Sequence, residues 1–145
     1  YEIAVRRLGG GGTEAIQAYL AYVEGDRALE LATAEPASLQ NWFSARLGLT
    51  FPEPPAPEGF AIVGGRLGEI AGGRAAVVVN AKGEAPAMLY MRPHDAPPAV
   101  PPSTVTGQAE VQGVTHLSWQ QQGFDYELVS PLPAEELKGF AGAAL

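Results

Sequence analysis

Gly59-Phe60-Ala61-Ile62-Val63-Gly64-Gly65-Arg66, Arg74-Ala75-Ala76-Val77-Val78-Val79-Asn80-Ala81 and Pro86-Ala87-Met88-Leu89-Tyr90-Met91-Arg92 decide the fold. Each run is short, mostly apolar and bounded by turn residues, the pattern of a strand. Gly72-Gly73 and Lys82-Gly83 punctuate them, and connections this short join antiparallel neighbours. The spacing therefore predicts strands over 59–66, 74–81 and 86–92. Downstream, Val114 to Gln121 and Phe124 to Val129 flank Gly123 and read as a further hairpin. Between the two groups, residues 93–112 carry Pro93, Pro97, Pro98, Pro101 and Pro102, and read as a long loop. A last helix over Ala134–Phe140 follows Pro133, with Glu135 and Glu136 placed to complement its dipole.

Upstream of the strands the period changes. Ile16, Tyr19, Leu20 and Val23 recur at helical spacing between Thr13, a capping residue, and Gly25. Residues 28–33 alternate as a short strand. A second helix is predicted from Pro36, a residue suited to the first turn, to Leu47, with Gly48 as its stop and Leu39, Trp42, Phe43 and Leu47 as its apolar stripe. The four prolines within Thr50–Glu58 make that segment a stiff, extended spacer. The run Gly9-Gly10-Gly11-Gly12 loses much entropy on ordering, so residues 1–12 read as a flexible juxtamembrane tether and 13–145 as one domain. The expected fold is α+β: an antiparallel meander sheet of about five strands with two or three helices packed on one face.

Composition agrees with a folded body. With 46% hydrophobic and 17% charged residues the chain is too apolar for disorder and too poor in charge for a coiled coil. Its net charge is -7, and the basic residues are scattered except at Arg6-Arg7, which argues against nucleic acid as a partner. There are no cysteines, so thiol catalysis, disulfides and thiolate metal sites are excluded. The apolar runs, such as Ala75 to Val79, fall far short of the roughly 18 residues of a membrane helix. Tyr1 in first place, with no basic-then-apolar leader, reads as an excised piece or a mature product.

The motifs of catalysis are missing from this pattern. No G-x-S-x-G surrounds Ser38, Ser44, Ser103, Ser118 or Ser130, and Glu135-Glu136 is more simply a helix start than an acid and base pair. His94 and His116 stand in no H-E-x-x-H spacing. Met88 and Met91 would point to opposite faces of one strand, which speaks for core packing and for a solvent-exposed His94 rather than a soft metal site. Gly64-Gly65-Arg66-Leu67-Gly68 does not continue as a phosphate loop, so turn or bulge geometry explains it. No catalytic, cofactor or metal residue is therefore assigned, and no cofactor is expected. Trp42, Arg46, Arg66, Tyr90, Arg92, Trp119 and Tyr126 remain as candidates for an interaction surface, since aromatic residues and arginine are the types enriched at binding hot spots.

In their order these segments resemble the periplasmic domain of proteobacterial transmembrane anti-sigma factors. The resemblance is carried by Trp42-Phe43-Ser44-Ala45-Arg46-Leu47-Gly48, by Gly59 to Leu67, by Gly73 to Ala76 and by Leu89 to Pro93. It continues through Trp119, Gly123 to Val129 and Leu132 to Leu137, so that residues 14–141 are spanned. The resemblance implies a regulatory sensor domain outside the inner membrane, not an enzyme. It implies a membrane helix and a small cytoplasmic zinc-type anti-sigma domain beyond this chain, the latter binding a cytoplasmic sigma factor. An envelope protein or a protease would be the partner on the outer side. Two alternatives stand beside this expectation: a stand-alone periplasmic module for a small ligand or metal, using the 93–113 loop with His94 or His116, and a small hydrolase with dispersed catalytic residues.

Overall fold

The computed structural model describes residues 9–25, 28–70, 72–94 and 105–142. Seven strands form one antiparallel sheet in the order β1-β2-β3-β4-β7-β6-β5. They are β1 (Leu31–Ala32), β2 (Ala61–Ile70), β3 (Gly73–Lys82), β4 (Ala85–Pro93), β5 (Val105–Val111), β6 (Val114–Gln121) and β7 (Phe124–Ser130). The helices are α1 (Gly9–Val23), α2 (Pro36–Leu47) and the short α3 (Ala134–Leu137), which runs into a 3₁₀ turn over Lys138–Ala141.

The α+β class holds, and the expected strand count and layering are corrected. Seven strands replace about five. One addition is β5, which lies within the stretch read as a loop; the other is β1, two residues of the short strand expected over 28–33, which joins the edge of this same sheet. The helices cover both faces of the sheet rather than one. On one face Leu39 and Phe43 of α2, with Leu137 and Phe140 after β7, pack on Ala76, Val78, Leu89, Met91, Leu117 and Leu128. On the other, Ala15, Ile16, Tyr19 and Tyr22 of α1 pack on Val77, Val79, Met88 and Val129. The physical reason is visible in β3 and β4. Every residue from Ala75 to Asn80 and from Ala87 to Met91 is buried, so both faces need a cover.

α2 occupies the range its sequence predicts. Pro36 starts it, and Gly48, at φ 74, ends it with its N–H donating to the Ser44 carbonyl. It docks where the sheet lacks side chains: a Cβ on Gly65 would lie 2.8 Å from both Leu39 Cδ2 and Phe43 Cζ. On the opposite face a Cβ on Gly64 would collide with the Leu31 carbonyl oxygen, which is why β1 can run so close. The adjacent glycines therefore serve close approach on two faces, with a bulge between Ile62 and Gly64.

Two further corrections concern the connections. α1 begins at Gly9 rather than after Thr13, because a helix anchored by a docked apolar stripe gains one hydrogen bond for each residue it adds; residues 1–8 of the expected tether lie outside the described residues. Residues 50–58 have no regular structure, yet they are more than a spacer. Phe51 is fully buried, with its ring 4.8 Å from that of Phe124. Its N–H donates to Ser44 Oγ at 2.9 Å, and its carbonyl accepts from Gln40 Nε2 at 2.9 Å. Burying one such ring contributes about 1.5–3 kcal/mol.

Candidate functional site

The seven residues expected to form an interaction surface lie in three places. Trp119 and Tyr126 are 1% and 3% exposed and stack on each other in the core on the α2 face of the sheet, ring centroids 5.2 Å apart and nearly parallel. Trp42 and Arg46 are neighbours on α2, with Trp42 partly buried against the core cluster. Trp42 is half-buried edge-on against Phe43, and the Arg46 guanidinium lies 5.1 Å over the Trp42 ring. Arg66, Tyr90 and Arg92 share the α1 face of the sheet. The last group stands among charged side chains, Asp125 beside Arg92 and Glu127 beside Tyr90, and it marks the candidate site.

Strand register builds that site. Tyr90 of β4 stands opposite Glu127 of β7, and Glu127 opposite Ser118 of β6. One step along, Arg92 stands opposite Asp125, and Asp125 opposite Gln120. His116, from the adjoining position of β6, reaches diagonally to Glu127, with Nε2 to Oε1 at 2.8 Å. His94 follows β4, held by its backbone N–H donating to the Gly123 carbonyl at 2.8 Å. Its ring contradicts the expectation of solvent exposure: the side chain is 19% exposed, and Nδ1 is 2.8 Å from Asp125 Oδ1. The reason is the backbone bond to Gly123, which continues the β4–β7 ladder by one residue and aims the ring across it.

Two His–carboxylate pairs thus lie side by side, and they differ in solvation. His94–Asp125 is at the end of the strands, with the Arg92 guanidinium 3.8 Å from Asp125 Oδ2 and the Gln120 amide nitrogen 3.4 Å from His94 Nδ1. His116–Glu127 is deeper; the His116 side chain is 1% and that of Glu127 13% exposed. Among the described residues, His116 Nδ1 and Gln120 Oε1 are buried without a hydrogen-bond partner. Beside these pairs the Tyr90 hydroxyl donates to the Ala15 carbonyl of α1 at 3.3 Å. Burial pushes the Tyr90 phenol well above its ordinary value; the nearby Arg66 opposes that shift and Glu127 adds to it. Tyr90 is therefore a neutral donor that ties α1 to the sheet.

Chemically, this arrangement fixes the orientation of the His94 ring through Asp125 and presents a guanidinium beside it. That suits recognition of a small polar or negatively charged group. Among the described residues no three His, Asp or Glu side chains group as metal ligands, and no helix is long and apolar enough to cross a membrane. Sequence reasoning missed Asp125, Glu127 and Gln120. The signal was present, because a hairpin turning at Gln122-Gly123 fixes Gln120 opposite Asp125 by counting back from the turn. Comparison of the chain with protein family models, with curated proteins and with solved structures gives no match.

Proposed function

We propose that this chain is the extracytoplasmic, signal-receiving domain of a membrane-anchored anti-sigma factor, controlling an alternative sigma factor from outside the inner membrane. The observation that carries the reading is the mutual packing of the segments on which the resemblance rests. The helix segment Trp42 to Gly48 docks through Phe43 onto Gly65 of the segment Gly59 to Leu67. The segment Leu89 to Pro93 pairs with Phe124 to Leu128, and Trp119 stacks on Tyr126. Leu137, from the final segment, is buried in the same cluster. Segments that are separate along the chain thus pack into one body, which supports treating them as one signature.

In this reading the domain transmits a signal by existing in two states that an effector distinguishes, since a ligand with equal affinity for both shifts nothing. α1 is the element best placed to couple, because it joins the N-terminal side of the chain to the sheet, with the Tyr90 hydroxyl bonded to the Ala15 carbonyl. The experiment uses the intact gene product. A phosphatase fused after Leu145 should be active outside the cytoplasm, and a sigma factor should co-purify with the detergent-extracted protein. A phosphatase active only when released inside the cell, or no sigma factor in the extract, would sink the proposal.

A second reading is favoured by the Arg92, His94, Gln120 and Asp125 cluster: binding of a small anionic ligand at the strand ends. Titration with a panel of small carboxylates and phosphates, read by thermal shift, tests it. A ligand at about 100 times its dissociation constant adds about 2.7 kcal/mol. No shift with the whole panel removes this reading.

A further inference from the structure

We propose that the outer edge of β5 is a docking site for an extended segment of a partner protein, one with basic side chains at alternate positions and apolar residues between them. The inference stands apart from the anti-sigma reading, because it rests on the edge alone.

β5 is the last strand of the sheet, and among the described residues no strand pairs with its outer side. Unpaired edges invite pairing, and proteins blunt them by shortness, lysine, proline or bulges. The opposite edge follows that rule, since β1 is two residues long. β5 follows it only at its start, where the register shifts between Val105 and Gly107. From there Gly107-Gln108-Ala109-Glu110-Val111 runs regularly against β6, with no proline and no basic residue.

The turn at its end fixes which backbone groups face outward. Val111 and Val114 flank the two-residue turn Gln112-Gly113, whose φ values of 54 and 78 belong to the tight hairpin type. In such a hairpin the flanking residues exchange hydrogen bonds, and bonded and unbonded pairs alternate from there. Val111 and Ala109 therefore bond to β6, whereas Gln108 and Glu110 direct their N–H and C=O groups away from the sheet.

The same two residues set the side-chain chemistry. They stand opposite Leu117 and Thr115, so their side chains lie on the α2 face, where both residues are exposed. There they line a groove of about 530 Å³ with Thr115, Pro133 and Ala134. Glu110 supplies a carboxylate to it, and the next residue along, Glu135, has a side chain 87% exposed, its contact with Lys138 stretched to 3.9 Å. On the other face Ala109 and Val111 belong to the apolar cluster under α1. An antiparallel strand added here bonds to Gln108 and Glu110, and its bonded residues project into the groove beside the Glu110 carboxylate. Its intervening residues fall on the apolar side. Basic, apolar, basic is the pattern that fits, and a chain of net charge -7 favours it at long range.

The test is fluorescence anisotropy of the labelled peptide Lys-Val-Lys-Val-Lys against the 145-residue chain, with two N-methylated copies. Methylation of the lysine amides removes the donors that meet the edge and should weaken binding about tenfold or more, whereas methylation of the valine amides, which face away, should leave it nearly unchanged. Glu110→Lys, a change at an exposed position that leaves the fold intact, should weaken the parent peptide about threefold to tenfold and flatten its salt dependence. Equal binding of both methylated copies, indifference to Glu110→Lys, or no binding at about 1 mM overturns the proposal. So does self-association of the chain through this edge, abolished by Gln108→Pro, without any peptide binding.

Discussion

Gly65→Ala should destabilise the protein, although replacing glycine in a strand usually does the opposite. The added Cβ would lie 2.8 Å from Leu39 Cδ2, 2.8 Å from Phe43 Cζ and 3.1 Å from the Val77 carbonyl oxygen. Favourable carbon contacts begin at about 3.5 Å. Leu39 and Phe43 have no exposed surface into which their tips could swing, so α2 itself must lift. Overpacking of this kind costs about 1–3 kcal/mol, while restricting the unfolded chain returns about 0.4–1 kcal/mol. The net loss is about 1–2 kcal/mol, which at this length lowers Tm by about 2–8 °C. Urea and thermal melts followed by circular dichroism measure it. The mechanism is isolated by adding Leu39→Ala, whose own cost is about 2–5 kcal/mol. In that background the extra methyl fills vacated space, so the double variant should be more stable than the sum by about 0.5–3 kcal/mol. A single variant that melts at or above the parent temperature, or two losses that simply add, would refute the close-approach argument.

Other consequences can be measured independently. Trp119→Ala removes a buried ring stacked on Tyr126 and should cost about 3–5 kcal/mol by chemical denaturation, with loss of the buried component of tryptophan fluorescence. Burial pushes the Tyr126 phenol up to about 12 from an ordinary 10.0. Because the folded pKa is the higher one, this group's contribution to stability is complete below pH 10 and is lost as pH rises towards 12. The part of the phenolate absorbance that Tyr126→Phe removes should therefore rise late and together with unfolding; its appearance in a folded protein near pH 10 would contradict the burial. Glu127→Ala leaves the enclosed His116 ring without its partner and should cost about 1–3 kcal/mol, read as a shift of the urea midpoint. Gly113→Ala places a side chain at φ 78 in the β5–β6 turn and should cost about 1 kcal/mol.

Local rules made some of this fold legible and left the rest hidden. α2 could be read to the residue because Pro36 and Gly48 bracket an apolar stripe. The β6–β7 hairpin was readable because Gln122-Gly123 separates two alternating runs. β5 was obscured by the prolines between Pro93 and Pro102, whose weight extended the expected loop across Val105–Val111, although Gln112-Gly113 repeats the turn signal of Gln122-Gly123. Coverage of both faces was also written in the sequence. Unbroken apolar runs such as Ala75 to Val79 mark strands buried on two sides, whereas an open-faced meander would alternate. The candidate site was less legible, since His94, Arg92, Asp125 and Gln120 converge only through the register of three strands. Trp119 and Tyr126 show the converse error: residue types common at interfaces are equally common in cores, and only burial separates the two uses.

The most direct trial of the proposed role is transcription itself. In the intact gene, residues 13–145 are deleted in frame and the sigma-dependent promoter is read across a panel of envelope stresses. The account predicts that the stress response is lost, with promoter output locked either on or off. Output that still rises and falls with stress as in the parent strain would contradict it.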